Sequence, residues 1–333
     1  MVCFGCMKVC VYLEGKGLIR TGGVRTAYNN RIKACRYGGM EVLTSLSDQD
    51  FDILQIEFPG VNSLFYAKRM RKKGKKVVIG THITAEDFKD TFVFGDKIFP
   101  YLRRFLKFAY SSGNALISPS VYTKKLVLSY GVNRPVYVLS NGIDPKFLKS
   151  ANRKKKEEDD FVIGCVGFVT KRKGVLTFAH LAKRFPEFTF RWVGDIRKNL
   201  LFDVEKLKSI PNLQFTGYVE DIRREYEKFD VFLFPSYEEN QGIVLLEAGA
   251  YSLPLIVRDI PVYEGWLHNR ENCIKCSTDG DFEKALEEII NSKNLREKLS
   301  RNSRRLAEQH SLEIVGKKLR EIYEEVLSSN SSM

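Results

Sequence analysis

The stretch Val231–Leu253, VFLFPSYEENQGIVLLEAGAYSL, decides the fold. Its opening VFLF is a continuous apolar run of strand formers closed by Pro235, which reads as a strand buried on both faces. A polar turn, Ser236 to Gly242, leads into a helical run, IVLLEAGAYS. Strand, turn and helix start is how an α/β protein places a ligand at the carboxyl end of a parallel strand. The N–H groups and dipole of the helix start suit an anion such as a phosphate. Two carboxylates, Glu239 in the turn and Glu247 in the helix, stand in the spacing E-x7-E. In so apolar a setting a carboxylate is costly unless it finds donors. Sugar and ribose hydroxyls are suitable donors, and one carboxylate accepts two at once. For either acid alone, solvation at the surface is the plainer alternative.

The same strand, turn and helix pattern recurs on both sides. FVIGCVGFV (161–169) is followed by Lys171-Arg172-Lys173-Gly174 and a helix, and strands follow at 188–195, 213–219 and 254–261. A glycine turn with clustered cations after a first strand suits a phosphate, with plain solvation of the cations as the alternative. Towards the amino end, MKVCVYL (7–13) reads as a strand, followed by a turn with Gly15, Gly17, Gly22 and Gly23, flanked by Arg20 and Arg25. A second strand lies within 51–60, a helix at 62–73, and a strand from Lys75 to Gly80 with His82 just past its end. Ser120 and Ser311 read as helix caps, and Leu312, Val315, Leu319, Ile322 and Val326 form the apolar stripe of a last helix.

FPSYEENQGIVLLEAGA closely resembles the signature PS-x-x-E-G-F-G-x-x-x-L-E-A of retaining GT-B glycosyltransferases of family 4. The resemblance implies two Rossmann-like domains with parallel sheets facing a cleft, and a terminal helix that crosses back to the first. It puts Glu239 on the donor hexose hydroxyls and Glu247 on the nucleotide ribose. Asn240, Gln241, Gly242 and Ile243 form the rest of that donor loop, with Asn-Gln-Gly where many members have Gly-Phe-Gly. Gly22 and Gly23 match a pair that approaches the donor diphosphate, and Gly217-Tyr218-Val219 a segment that holds the base. Gly167, Lys173 and Gly174 keep the spacing of G-R-x-x-x-x-K-G, which places Lys173 on the diphosphate. Phe168 stands at the arginine position, leaving Arg172 or Lys171 to compensate. His82, by the same likeness, faces the transferred sugar. The block His82-Ile83-Thr84-Ala85-Glu86-Asp87 is similar to the H-x-T-x-E-D of bacterial enzymes that glycosylate diacylglycerol, which sets Glu86 and Asp87 on the acceptor side. Catalysis is then expected from His82, Glu239 and Lys173, without a metal or other cofactor, with UDP-glucose or a related nucleotide-sugar as donor. The Asp48-x-Asp50 pair reads as a polar turn rather than as a GT-A metal site.

Charge divides the chain. Residues 1–150 carry 24 Lys and Arg against 11 Asp and Glu, out of totals of 54 and 41, so the net charge of +13 belongs to the first half. Such an asymmetry points to an anionic surface. The sources are YAKRMRKKGKK (66–76), with Lys72, Lys73, Lys75 and Lys76, and KIFPYLRRFLKFAY (97–110), with Arg103, Arg104 and Lys107. After Pro100 a helix gathers Leu102, Phe105, Leu106 and Ala109 on one stripe, the composition of an interfacial helix. An ordinary surface helix packing that stripe into its own core is the alternative. The expectation is a cytoplasmic enzyme, peripheral on the inner face of the cell membrane, with a lipid acceptor. A polyprenyl-linked or polysaccharide acceptor is the second reading.

No run of about 18 apolar residues occurs, so no membrane-spanning helix is expected. Residues 1–6 read as a leader without the features of a secretion signal. The domain boundary is expected in the charged run 150–160, giving an acceptor and membrane domain over 1–150, completed by 311–328, and a donor domain over 151–310. An NAD enzyme is excluded because no strand is followed by G-x-G-x-x-G with an acid further on. Nucleic acid is not an expected partner, since charge alone favours it. The seven cysteines read as reduced thiols. A zinc site from Cys3-x2-Cys6 and Cys273-x2-Cys276 is not expected, because nothing in the spacing joins the pairs.

Overall fold

The computed structural model describes residues 7–19, 21–48, 50–89, 95–149, 160–196 and 203–329. Arg20, Cys3, Cys6 and the charged run 150–159, which figure in the expectations above, lie outside the described residues. The chain divides into two compact units, and the division falls between Asp144 and Pro145 rather than in the charged run near 150. A third segment, from His310 on, belongs to the first unit.

The first unit runs β1 (Lys8–Tyr12), α1 (Gly23–Tyr37), β2 (Glu41–Leu43), β3 (Ile53–Ile56), α2 (Val61–Lys72), β4 (Lys76–Gly80), α3 (Glu86–Lys89), α4 (Gly95–Ser111), β5 (Ala115–Ser118), α5 (Val121–Ser129) and β6 (Val136–Val138). The second runs α6 (Pro145–Lys149), β7 (Val162–Val166), α7 (Val175–Arg184), β8 (Thr189–Val193), α8 (Val204–Lys208), β9 (Leu213–Phe215), α9 (Arg223–Tyr226), β10 (Val231–Phe234), α10 (Ile243–Ala250), β11 (Leu255–Arg258), β12 (Ile274–Cys276), α11 (Asp279–Asn291) and α12 (Lys293–Gln309). Helix α13 (Leu312–Ser328) then completes the first unit.

Among the described residues each unit holds one six-stranded sheet, ordered β2-β1-β3-β4-β5-β6 and β12-β11-β10-β7-β8-β9, and every pairing is parallel. Helices cover both faces of such a sheet, so its central strands must be apolar throughout. β3, β4, β5, β10 and β11 are indeed buried at every position. Strand order reverses between β1 and β3 in the first sheet and between β7 and β10 in the second.

Helix α13 packs on α1, and the contact depends on an absent side chain. A Cβ at Gly316 would stand 2.8 Å from the Gly38 amide nitrogen and collide with the Ala34 carbonyl. The two backbones are therefore closer than side chains allow. Leu312, Val315, Leu319 and Val326 of α13 enter the core with Tyr28, Ala34 and Cys35 of α1. Tyr323 OH donates to Gln55 Oε1 at 2.8 Å, tying the last helix to β3. Ser311 caps α13 and Ser120 caps α5, as the sequence implies.

Two expectations about the basic half need correction. Helix α4 begins at Gly95 and runs through Pro100, although a proline inside a helix removes one hydrogen bond and crowds the carbonyl four residues back. Its stripe of Leu102, Phe105, Leu106 and Ala109 turns to the first unit's core: Leu106 and Ala109 are buried, and Leu102 and Phe105 pack partly buried against it. The exposed apolar side chains of α4 are instead Ile98, Tyr101 and Phe108, with Tyr101 76% and Phe108 67% accessible. Arg103 lies over the Tyr130 ring and donates to the Ser129 carbonyl at 2.6 Å, while Arg104 and Lys107 are exposed. Lys76 is buried in β4 and donates to the Ser329 carbonyl at 2.6 Å, so it faces no membrane. Lys75 is half-buried over the Phe51 ring, and Lys72 and Lys73 are exposed.

Replacing Gly316 by valine should cost about 1–3 kcal/mol by forcing α13 off α1. Chemical denaturation of the variant measures this directly, and an unchanged midpoint would show that the two helices can part without loss.

Candidate functional site

The second sheet brings its chemistry to the point where its strand order reverses. β7 and β10 are neighbours with partners on opposite sides, so the loops after them meet at the carboxyl edge of the sheet. The β7 loop carries Lys173 and the β10 loop carries Glu239. They form an ion pair, with Lys173 Nζ on Glu239 Oε1, both side chains largely buried. Ser236 Oγ donates to the same carboxylate oxygen at 2.7 Å. The loops touch through backbone. Gly174 has φ +78°, and a Cβ there would stand 2.7 Å from the Pro235 carbonyl carbon. Only glycine fits both demands.

Burial pushes the Glu239 carboxyl up, but Lys173 and Arg172 together with the two side-chain hydrogen bonds outweigh it, so the group sits below the usual carboxylate range. Lys173 Nζ also lies 5.1 Å from the centre of the Phe234 ring. Arg172 turns into the β10 loop and donates to the Glu238 carbonyl at 2.6 Å, whereas Lys171 is exposed. Of the two cations expected to compensate for Phe168, Arg172 is thus the one held in this loop.

Gly242, with φ +86°, starts α10 and leaves Ile243 as its first residue; Gln241 and Gly242 are buried and Asn240 half-buried. Glu247, one turn on, is buried too, but its partner is a hydroxyl: Tyr226 OH donates to Oε2 at 2.7 Å. Burial therefore prevails, and the Glu247 carboxyl is raised. Along the same edge Gly167 donates its N–H to the Val193 carbonyl at 2.9 Å and Gly194 to Gly217 at 3.0 Å, which lines up the turns after β7, β8 and β9. Tyr218 beside them is exposed.

The first unit holds the other expected groups. Gly22 (φ +91°) and Gly23 open α1, whose first turn has no side-chain cap and no acid. His82 is buried just beyond β4, and its Nε2 bonds to Oε2 of Glu57, which follows β3. Arg31 Nε donates to Glu57 Oε1 at 2.9 Å. Burial raises the Glu57 carboxyl, but Arg31 and His82 bring it down to about 2. Glu86 accepts from Tyr130 OH. Asp87 Oδ2 accepts from the Thr84 N–H at 3.0 Å while its own N–H reaches Thr84 Oγ1 at 3.3 Å, closing the turn into α3.

Sequence reasoning missed Ser236, Tyr226, Glu57 and Arg31 as partners. Glu57 was findable, as an acid closing a buried strand, and Ser236, three residues before Glu239 in the same turn; Tyr226 and Arg31 lie on elements distant in the chain. Cys273 and Cys276 are buried thiols pushed up to about 12, and no group of three metal-binding side chains occurs among the described residues. Asp50 pairs with Lys8 at 2.6 Å and Asp48 accepts the Asp50 N–H, a polar turn.

Two family models match the chain in succession: "Glycosyltransferase Family 4" over residues 17–147 and "Glycosyl transferases group 1" over 147–306. A processive diacylglycerol alpha-glucosyltransferase of Acholeplasma laidlawii is 32% identical over 96% of this chain and 99% of its own. An alpha-galactosylglucosyldiacylglycerol synthase of Streptococcus pneumoniae is 33% identical over 47% of this chain and 45% of its own. Among solved structures, HepE of Anabaena in complex with UDP-glucose superimposes with a TM-score of 0.76 at 15% identity, over 96% of this chain and all of its own. A sucrose-phosphate synthase of Thermosynechococcus elongatus gives 0.78 at 14%, over 97% and 99%. These likenesses show the GT-B fold.

The low Glu57 carboxyl fixes a pH dependence. An acid whose pKa is depressed in the folded state adds stability that is full above its unfolded value near 4.5 and is lost as pH falls through about 2. The native protein should lose stability across that window. Glu57→Gln should start less stable and show a flatter acid limb in denaturation measured from pH 5 to 2; equal slopes would contradict the assignment.

Proposed function

We propose, from the premise that this chain belongs to glycosyltransferase family 4, that it moves glucose from UDP-glucose onto a membrane lipid, with diacylglycerol as first acceptor. Family membership makes it a hexosyltransferase of a retaining family that draws its sugar from a nucleotide-sugar. The donor and acceptor named here are our reading. Glu239 would take the hexose hydroxyls, Glu247 the ribose, and Lys173 the diphosphate. As the bond to the leaving phosphate breaks, negative charge grows on the diphosphate. Lys173 and the glycine-turn amides meet it without reorganising. The Lys173–Glu239 pair supports this assignment: it keeps a cation and an ionised carboxylate side by side, one for the leaving group and one for the sugar. The departing phosphate would take the acceptor proton. His82 would face the transferred sugar, and Glu86 would lie on the acceptor side.

What carries the lipid half is the outer face of α4. Tyr101 and Phe108 stand exposed there among Lys97, Arg104 and Lys107, in the half of the chain that holds the entire charge excess. Aromatic side chains enter the interfacial region, and each cation near an anionic leaflet adds about 1 kcal/mol. Lys72 and Lys73 at the end of α2 extend the cationic character. No helix of the described residues is long and apolar enough to cross a membrane. Our reading is peripheral attachment through this face, on the inner side of the cell membrane. The whole-length likeness to a diacylglycerol glucosyltransferase supports the same acceptor. A polyprenyl-linked or polysaccharide acceptor is the alternative, and an exposed aromatic and cationic face speaks less for a soluble polymer.

The test is transfer of labelled hexose from UDP-glucose into diacylglycerol in vesicles with and without anionic lipid. Glu239→Ala should abolish product. Tyr101→Ser with Phe108→Ser should weaken vesicle binding by at least about tenfold, while Leu102→Ser should lower stability instead. Transfer that ignores both the aromatic pair and anionic lipid would sink the membrane reading. UDP-glucose turnover without lipid product would redirect the search to polymer acceptors.

A further inference from the structure

The buried group Arg31–Glu57–His82 is more than a histidine with a neighbour. Three elements contribute one residue each: α1 gives Arg31, the end of β3 gives Glu57, and the turn after β4 gives His82. All three are buried, with Glu57 wholly inaccessible. Backbone bonds fix the approach of both partners. Glu57 donates its N–H to the Tyr12 carbonyl at 2.9 Å, and Thr81, just before His82, donates to Ile117 at 2.9 Å. Gly80 leaves the space they need, since a Cβ there would stand 2.8 Å from His82 Nε2 and 2.9 Å from Glu57 Oε2.

Charge then decides the hydrogen. Arg31 is always a cation, and its bond to Oε1 holds Glu57 ionised, so the carboxylate has no proton to give. The proton between Glu57 Oε2 and His82 must belong to Nε2. A neutral His82 is then the Nε2–H tautomer, and its Nδ1 is an acceptor. Without Arg31, a carboxyl this deeply buried would favour its protonated form and could donate instead, reversing the ring's polarity.

We propose that Glu57 is the positioning residue of His82 and Arg31 the residue that keeps Glu57 able to act: together they fix the ring's direction and its tautomer, so that His82 presents an acceptor rather than a donor to a sugar hydroxyl. The proposal rests on the reading that His82 serves transfer. Glu57 itself touches neither donor nor acceptor in this scheme. Misplacing a group at the reacting centre by even about 1 Å costs on the order of a hundredfold, so loss of the carboxylate should fall on kcat.

Nitrogen-15 spectra of the full chain with labelled histidine separate the two claims, because it has only four histidines and His82→Ala identifies the signal. The native protein should show His82 as the Nε2–H tautomer, and Glu57→Gln should show a mixture. With UDP-glucose and diacylglycerol vesicles, Glu57→Gln should lower kcat by about tenfold to a hundredfold with little change in KM for UDP-glucose, and UDP binding should be unchanged. Glu57→Asp, which keeps the charge, should recover part of the loss; should Glu57→Gln fail to fold, the tautomer of His82 in the native protein still decides the proposal. A native Nδ1–H tautomer, or a folded Glu57→Gln with native kcat beside a slow His82→Ala, overturns the proposal alone. Native kcat in His82→Ala overturns the role of His82 and the proposal with it.

Discussion

A parallel sheet sends every strand the same way, so the loops after its strands gather on one edge. Where the strand order reverses, no crossover helix spans the gap, and two loops face each other there. In the second sheet those loops are the ones after β7 and β10, and the sequence has put a cation on one and a carboxylate on the other. In the first sheet the reversal lies between β1 and β3. Glu14 beyond β1 accepts from the Ser63 N–H at 2.6 Å at the start of α2, and Glu57 stands at the end of β3. The meeting of Lys173 with Glu239, and the position of Glu57, follow from this one feature of chain routing.

The buried acids show how partners, rather than burial, decide ionisation. Glu239, Glu57 and Glu247 are all withdrawn from water, which by itself raises each carboxyl. Glu239 and Glu57 each meet a cation and a second hydrogen-bond partner, and both end below the usual carboxylate range. Glu247 meets only the Tyr226 hydroxyl among the groups that shift it, and ends above. A neutral donor weakens the desolvation cost without cancelling it. Cations reverse it.

Helix α4 shows the limit of periodicity. It is apolar on two stripes: Leu102, Phe105, Leu106 and Ala109 on one, and Ile98, Tyr101 and Phe108 on another. A helical repeat identifies both stripes but cannot say which one the rest of the chain covers. The core of β4 and β5 covers the first, because Leu106 and Tyr110 meet Ile79 and Leu116 there. The second is left outward among cations. In the same way a run of seven cations reads as one surface, yet its last member, Lys76, is the first residue of a buried strand.

By itself the sequence determined the alternation of strand and helix and the loops that bear Lys173, Glu239, Glu247 and His82, while the division into two sheets came from the family resemblance. Those depend on neighbours along the chain, on apolar runs, glycine turns and serine caps, which local sterics and hydrogen bonding read directly. The E-x7-E stretch alone placed two acids on one strand–turn–helix unit. Only the tertiary structure decided that Lys173 pairs with Glu239, that Tyr226 holds Glu247, and that Arg31 and Glu57 hold His82. Each of these joins elements distant in the chain, and which elements become neighbours is set by the order of strands in a sheet. Strand order arises from the packing of the whole unit, and no local pattern of residues records it.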